Sequence, residues 1–129
     1  MNYIGKININ LFKVVTENIT TDDVVITDER IKHINDNHSN DYDRFSSFIL
    51  EILTNPDYIL KDNKNENTAI ILKKIFILNK KIQIVLRLHT SNDNSEYKNS
   101  IISLWEISDN RWDNYLRNKI ILYNRGSIA

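Results

Sequence analysis

The chain has 129 residues, 41% of them hydrophobic and 26% charged, with no cysteine, two glycines and one proline. That composition suits one ordinary globular domain and excludes disulfides, thiolate metal sites and glycine-rich phosphate cradles. Net charge is zero but unevenly spread: residues 1–63 carry six Lys and Arg against eleven Asp and Glu, and residues 64–129 carry eleven against six.

No apolar run approaches the roughly 20 residues of a membrane span, and the N-terminus has no signal-peptide core. The expectation is therefore a cytoplasmic chain with no membrane partner. Residues 3–15 are ambiguous and read at most as a leading strand, so residues 1–19 stand apart from a core expected over 20–125. No internal repeat or domain boundary is visible, and 1–129 is read as a single domain.

Val24-Val25-Ile26 is a β-branched run, followed by Thr27 as N-cap and by Asp28 and Glu29 in a first helical turn. That helix is expected to reach His38. Tyr42, Phe45, Phe48/Ile49 and Ile52/Leu53 recur at helical spacing after Asp41, which predicts a second helix that stops before Asn55-Pro56. Tyr58-Ile59-Leu60 reads as a short strand. Residues 68–78 and 82–88, parted by Asn79-Lys80-Lys81, read as a hairpin. A polar loop over 90–96, a strand over 100–107, a short helix capped by Asp109 and a closing strand at Ile120-Ile121-Leu122-Tyr123 complete the chain. Helices first and strands later predict an α+β fold, with N-terminal helices packed on a mostly antiparallel sheet of about four strands.

Two of the three histidines, His33 and His38, fall on the first long helix, and imidazole titrates near neutral pH. Arg30, His33 and Asn37 stand at i, i+3 and i+7 and share a face, while His38 continues the stripe of Ile31 and Ile34. The bland reading of the pair is a helix-end histidine satisfied by backbone and an exposed one. A zinc site is disfavoured: the histidines are five apart with no intervening Glu, and a third ligand is missing. No metal or cofactor is expected. On the strand after Lys98, Ser103 and Trp105 share a face with Asn99 and Ile101, and Trp105 reads either as core or as a base-stacking platform.

Several segments in order carry a resemblance: Asp22–Ile34 with His38, Asn55-Pro56-Asp57-Tyr58-Ile59-Leu60, Asn67–Lys74, Val85–Leu88, Tyr97–Ile102 and Leu116–Tyr123. Together they resemble the phage-associated barnase–EndoU–colicin–RelE-like nucleases, over roughly residues 20–125. One departure is Ser103, where the family pattern often has threonine. The resemblance implies a metal-independent, toxin- or effector-like endoribonuclease. A base takes the 2′-OH proton, that oxygen attacks the phosphorus, and a 2′,3′-cyclic phosphate results. It further implies His33 and His38 as the base–acid pair, Arg30 and Lys98 stabilising the phosphate, and Ser103 hydrogen-bonding it. Lys73, Lys74 and Arg87 would track the RNA backbone, with Trp105 stacking a base. RNA is the expected partner, with an immunity or antitoxin protein as another. The alternative is a catalytically inactive RNA-binding or protein-interaction module of a phage or mobile element. A site of this kind requires Arg30, His33 or His38, Lys98 and Ser103 to line one cleft.

Overall fold

A computed structural model describes residues 1–128. The helix expected after Val24–Ile26 forms as α2 (Asp28–Asn37). Its N-cap Thr27 accepts a hydrogen bond from the Arg30 amide at 3.1 Å, and its acidic first turn faces the positive end of the helix dipole. The second expected helix is broken instead into α3 (Asp41–Phe45) and α4 (Ile49–Thr54) by a 3₁₀ turn at Ser46–Phe48. Adjacent serines, whose hydroxyls compete for backbone hydrogen bonds, are poor helix formers at that point.

The strands are β1 (Asn2–Lys6), β2 (Asp23–Ile26), β3 (Tyr58–Lys61), β4 (Thr68–Ile75), β5 (Lys80–Arg87), β6 (Asn99–Ile107) and β7 (Ile121–Asn124), with α1 (Ile9–Phe12) and α5 (Asp109–Asn118) between them. They form one seven-stranded sheet in the order β1-β2-β6-β5-β4-β3-β7. The expected sheet of about four strands beneath N-terminal helices is thereby overturned. β2 joins β6 in parallel through Val24–Asn99 and Val25–Ser100, which makes the sheet mixed, and β1 and β7 form its two edges. The leading segment left ambiguous by sequence supplies β1 and α1, and Ile7 and Phe12 are buried. On β1 the register slips between Tyr3 and Gly5, a bulge at which Gly5 takes φ +149°, a conformation that side-chain-bearing residues rarely adopt.

Both faces of the sheet are covered. On one, Phe12, Ile34, Phe45 and Ile52 from the helices preceding β3 meet Ile59, Ile71, Ile84 and Leu104 from the strands. On the other, α5 lays Trp112 over Leu60, Leu72 and Ile107. The first cluster holds nineteen buried residues and the second five among those described. Since burying an Ile, Leu or Phe contributes about 1.5–3 kcal/mol, most of the stability resides in the first layer.

Strict alternation along β6 fails at one place. Ile101 pairs with Leu86 and Ser103 with Val85, so Ile102 is the extra residue of a bulge. Ile101 and Leu104 consequently face the first layer, while Trp105 packs with the second. The expected grouping of Ile101 with Ser103 and Trp105 is corrected by that inserted residue. The hairpin turn also differs from expectation: β4 ends at Ile75, and a 3₁₀ turn presents Phe76 and Ile77 to solvent.

Candidate functional site

Capping by Thr27 fixes Arg30 in the first turn of α2. Its side chain is exposed and has no ion-pair or hydrogen-bond partner among the described residues. It lines a groove of about 630 Å³ together with Val85 and Ile102 of the sheet, Lys64 and Glu66 of the β3–β4 loop and Thr68 at the start of β4. Arg87 of β5 lies in the same groove. One guanidinium nitrogen of Arg87 bonds the Asp93 carboxylate at 3.0 Å and another donates to the Leu88 carbonyl. The Thr68 hydroxyl donates to the Glu66 backbone carbonyl at 3.0 Å, and the exposed Glu66 carboxylate is the only acidic side chain of the groove's lining among the described residues.

His38 closes α2: its amide donates to the Ile34 carbonyl at 2.9 Å, and its ring stacks on Trp105 with centroids 4.4 Å apart and planes at 19°. It lines a second cavity of about 410 Å³ with Asp41, Arg44 and Glu106. Asp41, the first residue of α3, is buried. Its carboxylate accepts from Arg44 at 2.7 Å and from the Glu106 amide at 2.9 Å, which fastens α3 to β6. His33 is exposed, and the Asn37 amide donates to its Nδ1 at 3.3 Å and its carbonyl at 2.9 Å.

Lys98 lies elsewhere, with its ammonium 3.4 Å from Asp23 in a third cavity beside His89 and Thr90. Ser103 is buried opposite Val85. Arg30, His38 and Lys98 thus fall in three different cavities rather than in one cleft. Of the four residues expected to bind substrate, Arg87 alone lines the Arg30 groove. Lys73 and Lys74, as neighbours on a strand, point to opposite faces. Lys73 is buried 3.7 Å from Asp57, whereas Lys74 stands over the Phe76 ring at 4.9 Å. One face of Trp105 is occupied by His38. Sequence reading missed Lys64 and Glu66, whose only signal was a polar loop, and Thr68, which it read only as the start of a strand.

His89 has a structural role. Its Nε2–H donates to the Asn94 carbonyl at 2.6 Å and its Nδ1 accepts from the Thr20 hydroxyl. The following loop is held by Asp93, whose carboxyl sits below the usual carboxylate range, chiefly because the Thr90 amide donates to it at 2.8 Å and further because Arg87 is adjacent. A carboxyl depressed in the folded state adds stability that is present above its ordinary pKa of 3.8 and lost as pH falls through the folded value. Urea midpoints should therefore hold steady from neutrality to about pH 5 and fall below about pH 4, with a shallower acid limb in Asp93→Asn. An unchanged acid limb in that variant would remove Asp93 as a contributor.

Among the described residues, no three His, Asp or Glu side chains converge as a metal site, and no helix is long and apolar enough to cross a membrane. No curated protein and no solved structure matches the chain. A family model does, over residues 2–124: that of the phage-Barnase-EndoU-ColicinE5/D-RelE like nuclease2 group. The chain belongs to that family, one of nuclease-like proteins of the barnase, EndoU, colicin and RelE type.

Proposed function

We propose that this member of a phage-related nuclease-like family is an endoribonuclease that needs no metal and cleaves RNA by attack of the 2′-OH on the adjacent phosphorus. One observation carries the reading: the groove between α2 and the β3–β4 loop collects two guanidinium groups and one carboxylate beside the apolar Val85 and Ile102. Arg30, free of partners among the described residues, and Arg87 hold the phosphate and balance the charge that grows on it. Glu66 receives the 2′-OH proton. His33, one helical turn from Arg30 at i, i+3, supplies a proton to the departing 5′-oxygen. His38 acts as a positioning residue, because its stack on Trp105 fixes the end of α2 against β6. Lys98, which lines another cavity, and Ser103, buried opposite Val85, are given no part in this step.

The test uses the purified chain, a mixed-sequence RNA and EDTA. Cleavage should persist, leave 2′,3′-cyclic phosphate ends, and stop at a site carrying a single 2′-deoxy substitution. Products with 5′-phosphate ends, or loss of all cleavage on chelation, would overturn the mechanism. RNA that is bound but never cut would select the inactive RNA-binding reading.

A further inference from the structure

The loop that walls the Arg30 groove also walls another. Residues from Lys64 to Thr68 line both the groove and a second cavity of about 500 Å³, which Val14, Val15, Lys61, Asp62, Asn63 and Leu122 complete. The loop is thus a ridge between two depressions, and the chain makes it stiff. The Asp62 carboxylate accepts from the amides of Lys64 at 2.9 Å and Asn65 at 3.3 Å, and from the Asn65 side chain at 3.2 Å. Asn67 takes the left-handed conformation at φ 56°, and its carbonyl accepts from the Leu88 amide at 2.8 Å. Asp62 is therefore engaged within the ridge.

The cations on and beside this ridge are unengaged. Lys61 and Lys64 are exposed and have no ion pair among the described residues, whereas Lys6, Lys80, Lys81 and Lys98 each lie within 3.4 Å of a carboxylate. Val14, Val15 and Leu122 add an apolar surface against which a base can lie, and the Asn63 amide can bond a base edge.

We infer that a single RNA strand crosses the ridge, so that the Val14–Lys61–Leu122 cavity is a subsite for nucleotides flanking the phosphate held at Arg30. Lys61 and Lys64 neutralise its backbone. The inference rests on RNA being the substrate, but not on the cleavage chemistry.

The test is binding of fluorescent 2′-O-methyl oligonucleotides, which lack a reactive 2′-OH, to the intact chain. A nonanucleotide should bind about tenfold more tightly than a trinucleotide. Lys61→Ala should remove most of that advantage, leave trinucleotide affinity unchanged, and reduce the salt slope by about 0.7, the value for one phosphate no longer neutralised. A length advantage that survives Lys61→Ala overturns the subsite and leaves the cleavage groove standing. Binding of neither oligonucleotide overturns both readings. Length-dependent, Lys61-dependent binding in a chain that cuts nothing keeps the subsite and removes the nuclease.

Discussion

Asn99→Ala is expected to destabilise the protein by about 3–5 kcal/mol, a large part of the 5–15 kcal/mol that holds a domain of this kind together. Asn99 opens β6 and is completely buried. Its carbonyl oxygen accepts from the His89 amide at 2.7 Å, and its amide donates to the carbonyls of Thr21 at 2.8 Å and Asp23 at 3.0 Å. One side chain therefore satisfies a buried amide and two partly buried carbonyls from two distant segments. Alanine would strand all three, and each unsatisfied group costs about 1–3 kcal/mol. The effect should be large because β2 meets β6 through only two residue pairs, with Asn99 in one of them. Asn99→Asp should not rescue: it retains the acceptor but sets a carboxylate against two carbonyl oxygens. Urea unfolding checks this, and an Asn99→Ala variant within about 1 kcal/mol of the parent would refute the clamp.

Arg30→Ala should behave in the opposite way, with stability unchanged within about 0.5 kcal/mol and RNA cleavage reduced on the order of 10²-fold. The side chain is exposed and bonds to nothing among the described residues, and the α2 cap uses the Arg30 backbone amide, which alanine retains. Its lack of partners is what suits it to a phosphate. Arg30→Lys should recover part of the rate, since charge is preserved while the two-pronged geometry is lost. Initial rates on a defined oligoribonucleotide, paired with urea midpoints, separate the two effects. Full activity in Arg30→Ala would remove this groove as the place of reaction.

The parts of the fold legible in the sequence were those written in local chemistry. Thr27 with Asp28 and Glu29 announced α2, Asn55-Pro56 the end of the second helical region, and the alternation Ile82, Ile84, Leu86 the inward face of β5. What failed depended on partners far along the chain. Nothing in Asp23–Ile26 states that it lies parallel to β6, and no residue type marks Ile102 as a bulge. Strand parity did contain one unused signal: Lys73 falls on the side of Ile71 and Ile75, which already argued for burial beside a carboxylate. For the site, the helix placed Arg30 but could not show what stands across from it. Glu66 and Lys64 belong to a loop without periodicity, and only the tertiary fold brings them opposite α2.

The interrupted outer strand has an effect beyond the molecule's own interior. A flat margin of unpaired amides and carbonyls invites a stray strand to extend the ladder, the first step toward fibrous aggregates. Here the kink at Gly5 distorts that margin, and Lys6, bound to Asp22 and Asp23, sets charge beside it. The cost of a glycine in a strand is thus offset by protection against edge-on polymerisation.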